Sequence, residues 1–448
     1  MDSSKTQNRW LVAVGALLIQ LALGAIYAWS VFTPALERAD GPYGFSATQT
    51  QVIFSVGLAT FAVVMVLAGR MMARYGPRPI ALAGGLVLGL GYILAGFFGS
   101  GFWTQLLFIG VVGGAGIGLA YVTPIAVGMR WFPDKKGLIT GLAVAGFGFG
   151  ALGWVKMADS WGHLLERLSL FGLPGVQSVF LLYGLLFLVM VGLGAFWMVF
   201  PPEGWKPAGW SPPAPTGSQA TEQVGAVDFE PVEMVHTTEY LAIVATFAFS
   251  AMAGLMTIGI IKLFGIDALQ AGGIEAVRAS AIAGTAMAVF YALANGIGRI
   301  VWGSVSDRVG WQRSVVLMTS LQGLVMLVFF WMGQSEWLLY LGAAIVGFNF
   351  GGNFALFPVA TADLFGSRNV GRNYGWVFLA YGVGGIIGPI MAGLFKDFGV
   401  ERGVDAWLPA FLISGLLCLT AAFITSRVHR PTKPVAVTVK PAVARAQG

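Results

Sequence analysis

Apolar runs of about twenty residues recur along this chain, and short stretches of charge, proline and glycine separate them. Twelve such runs stand out, at 10–33, 47–72, 78–98, 103–130, 137–158, 176–200, 239–263, 276–304, 312–332, 336–362, 371–394 and 404–426. Twenty residues of helix rise about 30 Å, the thickness of a bilayer's hydrocarbon core. The pattern therefore predicts an all-α membrane protein with twelve transmembrane helices. A longer polar stretch divides them six from six, so the expected architecture is two six-helix pseudo-symmetric bundles. The boundaries read as an N-terminal bundle over 1–200, a linker over 201–238, a C-terminal bundle over 239–430 and a tail over 431–448. The linker contains "SPPAPTGSQATEQ" from Ser211 to Gln223, a composition expected to stay flexible.

Composition strengthens this reading. Of 448 residues, 57% are hydrophobic and 10% charged, against about 25% charged in soluble domains. The net charge of +6 does not point to nucleic acid, because the basic residues sit in short clusters beside apolar runs. With both termini inside, 18 of the 26 Lys and Arg fall in cytoplasmic segments, five in outer loops and three (Lys156, Lys262 and Arg299) within helices. That asymmetry predicts a multi-pass protein of the cell's inner (plasma) membrane with both termini cytoplasmic. The stretch Leu11–Phe32 lacks a clear cleavage site and reads as an uncleaved first helix. The single cysteine, Cys418, lies in an apolar run and reads as a packing residue.

The halves repeat with an offset of 234 residues. Gly69-Arg-Met-Met-Ala-Arg74-Tyr-Gly76 aligns with Gly303-Ser-Val-Ser-Asp-Arg308-Val-Gly310. At the same offset Gly113 meets Gly347, Gly118 Gly352, Pro124 Pro358, Gly137 Gly371, Gly141 Gly375, Gly148 Gly382 and Gly150 Gly384. One offset holding across four helices marks an internal repeat. Repeats joined by a linker are a transporter plan, with substrate held between them near the midplane.

Gly69 through Arg78 resembles the G-x-x-x-D-R-x-G-x-R signature of the major facilitator superfamily. Ala73 replaces its acidic residue, which the second copy keeps as Asp307. More narrowly, "RWFPDKKGLITGLAVAGFGFG" (Arg130–Gly150), "ANGIGRIVWGSVSD" (Ala294–Asp307), "NFALFP" (Asn353–Pro358) and "RNYG" (Arg372–Gly375) resemble the oxalate/formate antiporter and monocarboxylate transporter group. The resemblance covers nearly the whole chain and implies secondary transport of a small carboxylate.

Arg299 is the only charge between Ala279 and Gly303. Arginine stays ionised, and insertion scales put such a charge at roughly 3 kcal/mol. Asp307 marks the end of helix 8, so Arg299 lies about 12 Å inside, near the centre. The nearest helical carboxylates, Asp159 and Asp363, are at helix ends, which makes an anionic substrate the expected partner. Asn295 shares its face at i, i+4 and is placed to bond the substrate or orient the guanidinium. In the resembled group this position can be acidic and linked to proton coupling. Tyr121 and Tyr381, each nine residues from a helix end, reach a similar depth of about 13 Å. The resemblance implies a binding role for Tyr121, and Tyr27 lies in a stretch resembling the group's Y-x-W. Tyr381 falls where the oxalate-transporting branch has a lysine. Phe350 and Phe354 fall where that branch has polar-edged aromatics, and they imply a more apolar cavity. One cation rather than two favours a monoanion.

Other polar residues read as structural. Asn349 and Asn353 are expected to pack, Lys156 and Lys262 to reach the interface, and His163, His236 and His429 lie outside the apolar core. Glycines of helices 5 and 11, among them Gly141, Gly148, Gly382 and Gly384, are expected to let those helices slide. Gating is expected at Arg74, Arg78, Asp307, Arg308 and Asp134, with the aspartates latching onto nearby arginines. The sequence carries no phosphate-binding loop, metal cluster or nucleophile constellation. An enzyme is not expected, nor a cofactor. The expected function is a monomeric carrier of a small monocarboxylate (lactate- or pyruvate-like) by proton-coupled symport. The alternatives are anion exchange of the oxalate/formate type and, from another class, a carboxylate-binding membrane sensor.

Overall fold

The computed structural model describes residues 7–32, 35–36, 38, 40–45, 47–158, 161–207, 209–210, 228–398 and 400–431. Asp159, the linker run Ser211–Gln223 and the tail beyond residue 431 lie outside them. Twelve long helices carry the fold: α1 (Arg9–Leu23), α2 (Ala47–Tyr75), α3 (Pro77–Phe98), α4 (Gly114–Trp131), α5 (Lys136–Ala158), α6 (Gly175–Ala195), α7 (Thr238–Ala271), α8 (Ala292–Val309), α9 (Trp311–Met332), α10 (Glu336–Phe365), α11 (Val370–Phe398) and α12 (Leu408–Ser426). Helix α4 is entered through the π-helical stretch Leu106–Gly113, and α8 through Ala276–Thr285 and the π-helical stretch Ala286–Tyr291. Among the described residues, eleven spans are long and apolar enough to cross a membrane. The 29-residue α11 completes the set of twelve long helices.

Leucine and valine stripes explain which faces point outward. Leu82, Leu86 and Leu90 on α3, Leu185, Val189 and Leu193 on α6, and Leu317, Leu321, Leu324 and Val328 on α9 are exposed. Their spacing of three or four residues puts each set on one helix face. Such apolar faces suit lipid. The opposite faces pack inward, rich in glycine and alanine on α3, in valine and aromatic rings on α6, and in small polar, methionine and phenylalanine side chains on α9.

The repeat seen in the sequence is a repeat in packing. In the first half α1 packs on α5, α2 on α4 and α3 on α6; in the second α7 packs on α11, α8 on α10 and α9 on α12. The main contacts between halves, α5 with α8 and α2 with α11, are exchanged by the same operation. The turns repeat as well. Gly76 and Gly310, 234 residues apart, hold φ of +84° and +88° before α3 and α9, a conformation that favours glycine.

Both α1 and α12 end the chain on one face of the bundle, the terminal face, since the number of spans is even. The polar linker is docked at its second described end. The backbone N–H of Phe229 donates to the Phe365 carbonyl (3.0 Å), and the side chains of Asn369 and Asn373 donate to the Phe229 carbonyl at 3.0 and 3.1 Å. Glu230 pairs with Arg372 at 2.5 Å. The expectation of a flexible linker therefore does not hold for this end: buried Phe229 and these polar bonds fix it to the α10–α11 turn.

Candidate functional site

Arg299 is fully buried, and its surroundings follow from two helices that meet at their backbones. Gly141 of α5 faces the Arg299 carbonyl so closely that a Cβ there would lie 2.2 Å from it. This approach brings the first half within reach of the guanidinium. Nε donates to Asn295 Oδ1 at 2.9 Å and Nη1 to the Val144 carbonyl of α5 at 2.8 Å. The guanidinium carbon sits 4.2 Å from the centre of the Phe354 ring and 5.5 Å from that of Phe147. Cation–π contacts of this kind reach about 2 kcal/mol when desolvated. Nη2 makes no hydrogen bond, although it is buried. Among the described residues no carboxylate pairs with Arg299. The charge is thus oriented from both halves but not neutralised.

Tyrosines surround it. The hydroxyls of Tyr27 (after α1) and Tyr381 (α11) lie 2.5 Å apart and join the halves. The Tyr27 hydroxyl also interacts with the Arg299 side chain. Tyr121 (α4) and Tyr374 (α11) are fully buried, and neither hydroxyl has a partner. Their rings are linked through Phe378, which lies 5.3 Å from Tyr121 and 5.7 Å from Tyr374 between centroids. A buried polar group without a partner costs about 1–3 kcal/mol. The Tyr121 and Tyr374 hydroxyls and Arg299 Nη2 are among the buried polar atoms of the described residues that have no hydrogen-bond partner.

A cavity of about 80 Å³ is lined by Tyr27, Gly148, Ala151, Leu152, Val155, Ile258, Met287, Tyr291 and Asn295, among others. Every lining residue of α5 follows Gly141 toward Ala158, and those of α8 and the stretch before it precede Arg299. The cavity therefore lies on the side of Arg299 away from the terminal face. Its volume holds about two or three water molecules. On the terminal side the halves are closed. Asp307 accepts from the backbone N–H groups of Gly137 and Leu138 at 2.8 Å each. Lys136 reaches Ser367 (3.0 Å) and Asp363 (3.7 Å), and Arg130 reaches the Arg368 carbonyl at 2.7 Å.

Two halves repeated in packing, a shared central site and a one-sided closure are the features of a carrier, and a family comparison agrees. The family model described as Major Facilitator Superfamily matches residues 18–286 and 241–446. The chain belongs to the major facilitator superfamily. It is similar to the uncharacterized MFS-type transporter YhjX of Escherichia coli (30% identical, 86% of this chain and 87% of the other). It is also similar to the oxalate:formate antiporter of Oxalobacter formigenes (26%, 95% and 94%) and to apicoplast pyruvate carrier 1 of Toxoplasma gondii (24%, 84% and 82%). Among solved structures, a variant of the E. coli fucose:proton symporter superposes with a TM-score of 0.62 at 16% identity, covering 93% of this chain and 97% of the other. This superfamily member is a membrane transporter and not an enzyme.

Arg299, Asn295, Tyr121, Tyr27, Tyr381 and Phe354 come together around one centre. Phe350 stands one layer back, its ring 5.2 Å from Phe354 and 6.3 Å from Tyr291. Asn349 and Asn353 accept from Trp302 and Ser250, which gives their side-chain oxygens structural work. At the terminal face Asp307 bonds backbone rather than an arginine, and Asp134 does pair with an arginine but within its own half. Asp307 caps the first turn of α5, where free N–H groups and the helix dipole attract a carboxylate. Asp134 pairs with Arg9 at 2.8 Å inside the first half, and Arg78 bonds the Phe196 carbonyl, also inside that half. Arg74 and Arg308 are exposed, Arg74 stacking over Tyr75. Sequence reasoning passed over Tyr374 and Phe147. Tyr374 had a signal, since it precedes Tyr381 by seven residues, two turns along one face. The Val144 carbonyl had none, because a backbone acceptor is invisible in side-chain chemistry.

Proposed function

We propose that this protein is a secondary transporter of a small monocarboxylate, lactate- or pyruvate-like, working by proton-coupled symport and alternating access. The observation that carries the reading is the free Nη2 of a buried, unneutralised Arg299. A carboxylate docking there supplies the missing acceptor and the missing charge at once, and charge-assisted bonds of this kind are about twice as strong as neutral ones. Asn295 holds Nε, so the fork presents its remaining edge in one direction. A single cation favours a monoanion over a dianion. Phe354 and Phe147 favour a methyl group or short chain beside the charge.

Coupling follows from the same charge. A proton travelling with the anion, or resting on its carboxyl group, accompanies the only mobile charge in the site. The carrier sits in the cell's inner membrane with both termini cytoplasmic and works as a monomer. In that orientation the cavity faces outward and the Asp307, Lys136 and Arg130 contacts close the cytoplasmic side.

Exchange is the second reading, favoured by the similarity to the oxalate:formate antiporter. Uptake of a labelled acid panel into proteoliposomes, with and without a pH gradient, separates the two. Symport predicts lactate or pyruvate accumulation driven by an acidic exterior. Exchange predicts stimulation by internal anion with no dependence on the gradient. Absence of flux for every monocarboxylate refutes the proposal.

A further inference from the structure

Arg313 and Arg427 take no part in the central site or in the contacts between halves, and both stand at the rim of lipid-facing surface. On α9, Arg313 begins the exposed stripe that continues through Leu317, Leu321, Leu324 and Val328. On α12, Arg427 ends an exposed stripe that runs through Leu416 and Phe423. Its guanidinium carbon lies 5.1 Å from the centre of the Phe423 ring. Positions three, four or seven apart share a helix face, so each arginine crowns a face that suits lipid. The two helices pack together, and their ends are tied at the terminal face. Gln312 Nε2 donates to the Thr425 and Val428 carbonyls at 2.8 Å each. Gln312 precedes Arg313 and Val428 follows Arg427 in the chain, so this clamp brings the two cations to one junction. Among the described residues no carboxylate pairs with either.

The repeat supplies an internal comparison. At the 234-residue offset Gln312 corresponds to Arg78, which likewise bonds a carbonyl just past the end of α6, that of Phe196. Arg313 and Arg427 correspond to Pro79 and Leu193. The first half thus keeps the clamp and lacks the pair of cations. Orientation in the membrane calls for basic residues in the turns, but not for two on neighbouring lipid-facing stripes of one half only. An arginine fork bonds phosphate in bidentate fashion, and arginines at the membrane surface attract anionic lipid. We propose that the terminal-face end of the α9–α12 junction is a binding site for an anionic phospholipid, its phosphate bridging Arg313 and Arg427 and its acyl chains lying along Leu317, Leu321 and Phe423.

The site is independent of the acid carried, so binding is measured rather than transport. The full chain in neutral detergent is titrated with dioleoyl phosphatidylglycerol or dioleoyl phosphatidylcholine, and bound lipids are counted by native mass spectrometry. Each arginine is worth about fivefold toward an anionic headgroup, so wild type is expected to prefer phosphatidylglycerol about 25-fold at its first site. Arg313→Gln combined with Arg427→Gln is expected to bring that preference to near one. Arg70→Gln combined with Arg74→Gln removes the same charge from exposed positions on α2 and should leave the preference within about twofold of wild type. Glycerol 1-phosphate, the soluble headgroup, should not displace the lipid at equal concentration. A wild-type preference near one overturns the inference whatever the variants do. A preference unchanged in the Arg313–Arg427 double variant overturns it, as do equal losses in the two double variants, which leave only general attraction to positive charge. Displacement by glycerol 1-phosphate at equal concentration makes the site one for soluble phosphate and overturns it too.

Discussion

Gly137 of α5 and Gly303 of α8 meet backbone to backbone at the terminal face. A Cβ on Gly137 would lie 2.1 Å from the Gly303 carbonyl oxygen, and one on Gly303 would lie 2.2 Å from that of Gly137. The repeat carries this pair onto Gly371 and Gly69, where a Cβ on Gly69 would lie 2.2 Å from the Gly371 carbonyl. The second approach is one-sided, since a Cβ on Gly371 would meet the end of the Met72 side chain at 2.2 Å.

Gly303→Ala should wedge α5 from α8 and disfavour the state closed at the terminal face. Overpacking of this kind costs about 1–3 kcal/mol, or roughly fivefold to a hundredfold in population. The reporter is a cysteine introduced at Ala288, which lines the cavity, in a Cys418→Ala background. Its labelling by an impermeant thiol reagent from the far side should slow at least fivefold. An unchanged rate contradicts the closure described here.

Asp307 should act on the same equilibrium through a different force. Its carboxylate caps α5 from the other half, so opening the terminal face loses both bonds. Helix caps are worth about 0.5–2 kcal/mol. Asp307→Ala should populate the state open at the terminal face several-fold, and Asp307→Asn less, because an amide oxygen still accepts. Spin-label distances across the two halves measure this. The first half has Ala73 at the matching position, so no equivalent cap exists at α11 to compensate.

Asn295 holds the guanidinium without changing its charge. Asn295→Asp would place a permanent counter-ion one turn away and compete with the substrate. Apparent affinity for the transported acid should fall more than tenfold at neutral pH. Asn295→Ala, which only frees Nε, should cost about tenfold or less. Saturation curves for both variants test the order; equal losses, or a smaller loss in the aspartate variant, would show that Arg299's charge is not what the substrate needs.

Much of this was legible in the sequence, and the residues show why. Arg299 announced itself because a lone charge in an apolar run must be explained by burial or a partner. The 234-residue offset marked the repeat of the two halves, and the packing follows it, since glycines at contact positions recur wherever two backbones must touch. What escaped depends on backbone atoms and on distance in the chain. Asp307 bonds N–H groups 169 and 170 residues away, and no side-chain pattern names them. Phe229 and Glu230 sit in a segment whose composition reads as linker, yet they dock on Phe365, Asn369, Arg372 and Asn373. Tyr374 was hidden by its motif, where it read as part of a family stretch rather than as a buried tyrosine whose hydroxyl has no partner.

The central claim is that Arg299 anchors the carboxylate. The direct measurement is binding and uptake of labelled lactate and pyruvate by Arg299→Gln beside wild type, in proteoliposomes, with folding verified by an unchanged elution profile and melting temperature. Glutamine keeps hydrogen-bonding capacity and removes the charge, so the account predicts loss of saturable binding and at least a hundredfold fall in uptake. Saturable uptake of either acid at the wild-type rate in that variant would contradict it.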